Sequence, residues 1–148
     1  MKFANFSFET ARLTTREIRP GDIDELGHVN NIVYVNWVQE AATEHWRAIA
    51  DQATQEKFQW FCSRHEIDYK QQLYPNQDVE IRTWLGLPIG ARFDRFVDIR
   101  ASGSAKTSAV AKTTWVLISK ASGRPVSCLL YTSPSPRDRT RSRMPSSA

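Results

Sequence analysis

Cysteine is scarce in this chain, with only Cys62 and Cys128 among 148 residues. Two cysteines are too few for the disulfide framework that stabilises small secreted domains. The sequence also lacks a CxxC pair or a His/Cys cluster at the spacing of a structural zinc site. We therefore expect no metal site and a reducing environment, with Cys62 serving as a small buried apolar residue.

Long apolar runs are absent as well. No stretch of about 18 apolar residues occurs, and a transmembrane helix needs roughly that length. The first residues, Met1 to Phe6, lack the apolar region of a secretory signal peptide. These two absences predict a cytoplasmic protein that has no membrane partner.

The chain carries a net charge of +4, which by itself would suggest nucleic-acid binding. Residues 128–148 contain four arginines and one aspartate, which accounts for +3 of this charge and leaves +1 on residues 1–127. Because residues 1–127 are nearly neutral, we expect no nucleic-acid partner.

The composition changes abruptly at residue 128 and becomes rich in Ser, Pro and Arg. Such a segment is typical of a disordered tail that is phosphorylated or binds RNA. Residues 128–138 and 142–148, however, resemble the translation of two parts of a transposase-type sequencing adapter in one reading frame. We therefore predict a single domain over residues 1–127, followed by a non-native read-through tail over residues 128–148.

Hydrophobic periodicity predicts one long helix and five strands. Apolar residues recur every three or four positions from Ile32 to about Ala50, which is typical of a helix with a wide buried face. Alternation of apolar and polar residues, or enrichment in aromatic and β-branched residues, predicts strands, separated by turns that contain Pro, Gly or Asn. The predicted strands cover residues 6–18, 59–71, 79–85, 93–101 and 109–119.

The order strand, helix and then four strands favours an α+β fold. Consecutive strands joined by short turns predict an antiparallel sheet of about five strands, curled around the one long central helix.

The segment 22–31 combines an acid, Asp24, with Gly27, His28 and the pair Asn30 and Asn31 directly before the predicted helix. The first N–H groups of a helix have no partner within the helix and carry its positive dipole end. They can stabilise an oxyanion while a nearby carboxylate activates a nucleophile. This pattern predicts a catalytic site at the helix start.

The string Asp24-Glu25-Leu26-Gly27-His28-Val29-Asn30-Asn31, followed by Tyr34, Trp37 and Glu40-Ala41, resembles the hot-dog thioesterases. The closest branches are the 4-hydroxybenzoyl-CoA thioesterase-like and acyl-ACP thioesterase-like groups. Later segments agree, and the resemblance covers roughly residues 8–126. It implies a hot-dog fold, a homodimer or homotetramer, and hydrolysis of an acyl thioester in fatty acid metabolism, with no metal or redox cofactor.

The resemblance places the family's catalytic aspartate on Asp24 and its oxyanion donor, a backbone N–H, on Asn31. Asp24 could otherwise be a turn or capping residue, and as a catalytic group it would be either a general base or a nucleophile. His28 is either structural or a polarising group, because this chain has Leu26 where the acyl-ACP branch has asparagine.

The remaining candidates are expected to position or bind substrate. Asn30 is a candidate helix cap, and Gly27 allows a tight turn or a close approach of the backbone to substrate. Tyr34 belongs either to the core or to the wall of the acyl pocket. Arg64 and Lys70 are either solvated or in contact with the phosphates of coenzyme A.

These observations predict an acyl-CoA thioesterase. An acyl-ACP thioesterase is the closest alternative, and a non-catalytic hot-dog protein that binds acyl thioesters is an alternative of a different class. A hot-dog hydratase is disfavoured, because Leu26-Gly27 departs from the D-x-N-P-x-H pattern of those enzymes.

Overall fold

The structure is a computed structural model that describes residues 6–128. Its elements follow the order β1 (Arg12–Glu17), a 3-10 turn (Pro20–Asp22), α1 (Asn31–Ile49), α2 (Gln52–Lys57), β2 (Phe58–Tyr69), β3 (Asp78–Leu85), β4 (Arg92–Ala101) and β5 (Ala109–Ser119). The predicted tail lies outside the described residues, apart from Cys128. No helix in residues 6–128 is long and apolar enough to span a membrane.

The five strands form one antiparallel sheet in the order β1-β3-β4-β5-β2. The α+β class, the antiparallel sheet and the single long helix are therefore confirmed. Strand β2 forms one edge of the sheet although it precedes the others, because α1 and α2 carry the chain from β1 at one edge to β2 at the other.

Helix α1 packs against one face of the sheet through residues at three- and four-residue spacing. Its buried residues are Tyr34, Trp37, Val38, Ala41, Ala42 and His45. Val38, Ile81 and Ile99 are each at most 1% exposed and belong to one core cluster. Burial of each such side chain stabilises the folded state by roughly 1.5–3 kcal/mol. Because the buried side chains of α1 are distributed along the helix, the contact fixes the position of the helix on the sheet.

Salt bridges also join α1 to β1. The Nη2 of Arg16 lies 2.9 Å from Glu44 Oε1, and its Nε lies 3.4 Å from Glu40 Oε1. Glu40 and Glu44 therefore connect the helix to the edge strand of the sheet.

Two local predictions were inaccurate. Strand β1 begins at Arg12 rather than residue 6, because Ser7 and Thr10 form a turn in which Thr10 N–H donates to Ser7 O at 3.2 Å. Helix α2 was not predicted, since its polar sequence has no apolar periodicity. It begins after Asp51, whose side chain accepts a hydrogen bond from Thr54 N at 2.8 Å and caps the helix.

Candidate active site

Backbone hydrogen bonds close the segment before α1 into a tight loop. Ile23 and Val29 form an isolated antiparallel bridge, and Asp24 N–H donates to His28 O at 2.9 Å. Gly27 N–H donates back to Asp24 O at 3.1 Å, and Gly27 has a φ of +87°. The loop thereby fixes the backbone of Asp24 relative to the helix start.

Two backbone N–H groups directly after the turn anchor the loop. Val29 N–H donates to Leu73 O, and Asn30 N–H donates to Asp22 O, each at 2.9 Å. Asp22, the second acid of the segment, uses its side chain to accept from Arg19 N–H at 2.9 Å. Asp22 therefore stabilises the 3-10 turn to which it belongs, whereas Asp24 lines a cavity.

The Asp24 carboxylate is held by one of its two oxygens. Oδ1 accepts hydrogen bonds from Leu26 N–H at 2.9 Å and from His28 N–H at 3.4 Å. The Nδ1 of His28 lies 3.7 Å from the same oxygen. Within residues 6–128, Oδ2 forms no hydrogen bond, so this oxygen is available to a water molecule or a substrate.

The start of α1 leaves one N–H group without a partner. Asn30 is the N-cap, as predicted, and its side chain accepts from Ile32 N–H at 3.1 Å. Val33 N–H donates to Asn30 O at 2.9 Å. The N–H of Asn31 has no hydrogen bond to any described residue, and it is the donor expected to face a developing oxyanion.

A cavity of about 520 Å³ brings most of the predicted site residues together. It is lined by Asp24, Leu26, His28, Val29, Asn30, Asn31, Tyr34, Tyr69, Lys70, Gln71 and Gln72. Gly27 does not line the cavity and acts through the turn. Arg64 is not part of this cavity either. It lies on β2 five residues before Tyr69, and its Nη2 pairs with Glu66 Oε1 at 2.7 Å.

The inner wall of the cavity contains two tyrosines. The rings of Tyr34 and Tyr69 meet edge to face with their centroids 5.3 Å apart. Burial raises the pKa of Tyr34 to about 12, although a backbone hydrogen bond with Leu73 opposes this shift. The Tyr34 hydroxyl therefore remains protonated at neutral pH, and the residue contributes both to the core and to the cavity wall.

Sequence reasoning missed Tyr69, Gln71 and Gln72 as site residues. Tyr69 ends β2 and its hydroxyl donates to Asn31 O at 3.3 Å. The aromatic character of this strand was visible in the sequence. The strand order decides which end of β2 lies beside the start of α1. The sequence pattern of β2 does not indicate this order, so the position of Tyr69 in the site could not be predicted.

The chain matches the model of the thioesterase-like superfamily over residues 18–136. No curated protein matches it.

Solved structures with the same fold include three thioesterases. The YbaW probable thioesterase from Escherichia coli has a TM-score of 0.69 at 19% identity, over 78% of this chain and 89% of that one. A DHNA-CoA thioesterase from Staphylococcus aureus has a TM-score of 0.69 at 14% identity, over 88% and 89%. A thioesterase from Thermus thermophilus, complexed with coenzyme A and Zn, has a TM-score of 0.67 at 21% identity, over 88% and 90%.

These likenesses identify the sheet wrapped around α1 as the hot-dog fold. The family match covers most of the chain, including the loop that carries Asp24 and the start of α1. This protein therefore belongs to the thioesterase-like superfamily.

Proposed function

We propose that this protein hydrolyses acyl-CoA thioesters, with Asp24 as general base and the Asn31 N–H as oxyanion donor. The observation that carries the proposal is that a carboxylate with a free oxygen and an unpartnered helix N–H line the same cavity. Membership of the thioesterase-like superfamily supports a thioester as the reacting bond. The coenzyme A complex of the Thermus thermophilus thioesterase supports coenzyme A as the thiol.

The proposed reaction adds water across the C–S bond. As a water oxygen attacks the carbonyl carbon, the Asp24 carboxylate takes the proton, and the carbonyl oxygen accepts a hydrogen bond from Asn31 N–H. When the tetrahedral intermediate collapses, the C–S bond breaks and the departing thiolate takes the proton from Asp24. The products are a free carboxylic acid and coenzyme A.

The other residues of the cavity have supporting roles in this proposal. His28 polarises or orients the Asp24 carboxylate from 3.7 Å. Tyr34 forms the wall against which the acyl group packs, with Gly27 and Asn30 shaping the loop and the helix start. We assign contact with a phosphate of coenzyme A to Lys70, because it lines the cavity. Arg64 is paired with Glu66 outside the cavity and is not assigned that role.

Substitution of Asp24 tests the mechanism. Asp24→Asn keeps an oxygen that can accept from Leu26 and His28 but removes the base. We expect it to retain the fold and to lose at least about 10²-fold in kcat, since general base catalysis typically contributes about 10²–10⁴-fold. The measurement is thiol release from a panel of aryl- and alkyl-CoA substrates and from the matching acyl-ACPs.

Asp22→Asn is the matched control, because it changes a neighbouring carboxylate that lies outside the cavity. We expect near-wild-type rates from it. An Asp24→Asn variant with wild-type kcat would refute the mechanism, and wild-type protein that binds acyl-CoA without releasing thiol would favour a binding protein. Single-turnover hydrolysis in H₂¹⁸O tests for a nucleophilic role of Asp24: label enters its carboxylate when water opens a mixed anhydride at the aspartyl carbonyl, and a general base does not take up label.

We further propose that the protein forms a homodimer through β2. This edge strand is 12 residues long, and one of its sides has no strand neighbour within residues 6–128. Unprotected edge strands readily pair with a second chain, and Phe61 on this strand is 60% exposed. A two-fold dimer would pair the two copies of β2 with each other.

A further inference from the structure

A second cavity, of about 300 Å³, lies at the opposite end of α1 from Asp24. It is lined by Ala42, Thr43, Trp46, Arg47, Gln55, Phe58, Gln59, Trp60, Phe93, Arg95, Trp115 and Lys120. Trp46 follows Asn31 by 15 residues, which corresponds to about 22 Å along the helix axis. The two cavities of one chain share no lining residue.

Five of the twelve residues that line this cavity are aromatic. The ring of Trp60 meets Trp46 and Phe93 edge to face, with centroids 5.6 and 4.9 Å apart. Phe93 and Trp115 are buried, and Trp115 Nε1 donates to Thr113 Oγ1 at 2.8 Å. Such a surface suits an apolar or aromatic body rather than a hydrated ion alone.

Arg95 is the buried charged residue of this cavity, with only 3% of its surface exposed. Its Nη1 donates to Thr83 Oγ1 and to His45 Nδ1, each at 2.9 Å, while its Nε has no hydrogen bond to any described residue. No carboxylate within residues 6–128 forms a salt bridge with it. A buried charge without a counter-charge is costly.

The partners of Arg95 do not neutralise its charge. Burial, together with Arg95 and Arg12, lowers the pKa of His45 to about 3, so His45 is a neutral acceptor at physiological pH. Burial and the neighbouring Arg12 lower the pKa of Arg95 to about 9, so the guanidinium is still charged at pH 7. The buried end of the cavity is therefore positive.

The rim of the cavity is positive as well. Arg47 and Lys120 are exposed at its edge, together with the amide of Gln59. No aspartate or glutamate occurs among the residues that line it. An anion entering this cavity meets three cationic side chains and no like charge.

We propose that this second cavity binds a small free carboxylic acid in its anionic form. The carboxylate pairs with the guanidinium of Arg95, and an aromatic or branched apolar body packs against Trp60, Phe93 and Trp115. Arginine suits this role, because its planar fork matches a carboxylate and a buried charge-assisted hydrogen bond is among the strong ones. None of the residues assigned above to hydrolysis lines this cavity.

Titration with benzoate tests the proposal, with benzamide as a neutral control of nearly the same shape. The shifts of the tryptophan indole N–H signals in NMR spectra report on Trp46, Trp60 and Trp115. We expect benzoate to bind at least tenfold more tightly than benzamide. Equal affinity for the two probes, or no shift with benzoate up to its solubility limit, would overturn the proposal.

Two variants locate the site. Arg95→Gln removes the charge, and Ala42→Leu fills the cavity while leaving Arg95 in place; each is expected to weaken benzoate binding at least tenfold. If Arg95→Gln does not fold, Ala42→Leu and the benzamide control still decide the question. Unchanged benzoate affinity in a folded Ala42→Leu variant would contradict the assignment.

Asp24→Asn separates this site from the proposed active site, and we expect it to bind benzoate as wild type does. Benzoate should also leave the KM for acyl-CoA unchanged. Purely competitive inhibition would assign the cavity to the substrate site and overturn the proposal of a separate one. Failure of thiol release in wild-type protein would refute the proposed function but would not affect benzoate binding.

Discussion

Gly27 illustrates how one residue determines the geometry of the candidate active site. Its φ of +87° lies in a region that side chains with a Cβ rarely adopt. A Cβ added at this position would meet no atom within 4 Å. Any cost of substitution therefore comes from the backbone conformation of the loop rather than from a steric clash.

We expect Gly27→Ala to lower the free energy of unfolding by about 1–2 kcal/mol, the cost of left-handed backbone for an L-residue. Relaxation of the loop would also displace Asp24 and lower kcat. Gly21→Ala is the matched control, because Gly21 has equally open surroundings but no positive φ. Urea denaturation and thiol release measure the two effects. Equal stability of the two variants would contradict the assignment of strain to Gly27.

The His45–Arg95 pair links stability to pH. His45 is 1% exposed, and burial, Arg95 on β4 and Arg12 on β1 lower its pKa from 6.5 to about 3. Since the pKa is lower in the folded state, the unfolded chain takes up a proton first as the pH falls. The contribution of neutral His45 to the free energy of unfolding is therefore fully present above pH 6.5 and is lost progressively as the pH falls from 6.5 to about 3.

Between pH 7 and pH 5 we therefore expect the wild type to lose about 2 kcal/mol of unfolding free energy through His45. His45→Gln keeps an acceptor for Arg95 but cannot titrate, so its stability should change less over this range. His65→Gln, at an exposed position on β2, is the control that should retain the wild-type dependence. Urea denaturation at several pH values measures the slopes. Identical slopes for wild type and His45→Gln would rule out this linkage.

At the scale of the element, the start of α1 combines two functions. Asn30 satisfies the second N–H of the helix, while the first, on Asn31 in the wall of the cavity, has no hydrogen bond to any described residue. Asn30 already has the extended backbone, with φ −65° and ψ 138°, that a residue before proline prefers. The first helical position tolerates proline well, because its N–H has no partner in the helix.

Asn31→Pro is therefore a specific deletion of one hydrogen-bond donor. We expect it to keep the helix and to reduce kcat about 10²–10³-fold, the usual cost of losing one oxyanion donor. Asn31→Ala retains the N–H and should stay close to the wild-type rate. Circular dichroism checks the helix, and thiol release measures kcat. Similar rates for the two variants would exclude the Asn31 N–H as the oxyanion donor.

At the scale of the whole molecule, the two edges of the sheet differ. Strand β1 has six residues, and its Arg12 and Arg16 form salt bridges with Glu44 on α1. Strand β2 is twice as long and presents Phe61 to solvent. The proposed dimer therefore uses β2, since a longer edge offers more unpaired backbone groups.

Phe61→Asp should convert the dimer to a monomer with the 17.0 kDa mass of one chain, because a buried carboxylate without a partner opposes association. Leu87→Asp is the matched control, since Leu87 is 78% exposed and belongs to the connection between β3 and β4 rather than to β2. Size-exclusion chromatography with light scattering gives the masses. A wild-type mass of one chain would disprove the dimer.

Much of this fold follows from local sequence patterns. Strands β3, β4 and β5 and helix α1 lie within one residue of their predicted bounds, because alternation and helical periodicity report directly which side of an element is buried. Helix α2 was not predicted, because it has no buried apolar face and its start is marked only by the polar cap Asp51.

The candidate site was predictable where its residues are adjacent in sequence. Asp24, His28, Asn30 and Asn31 line one cavity because the loop and the helix start are continuous in the chain. Tyr69 and Lys70 join them from β2, and Arg64 on the same strand does not. Side chains from distant segments meet only where the strand order places them.

The sequence by itself determined the class of the fold, the long central helix, and a carboxylate beside a helix start, since each depends on periodicity or on neighbouring residues. Only the tertiary structure decided that the end of β2 completes this cavity. It also placed the charge of Arg95 in a cavity with aromatic walls at the other end of α1, where no carboxylate of the described residues forms a salt bridge with it. Both depend on long-range packing, which brings together residues that no local pattern connects.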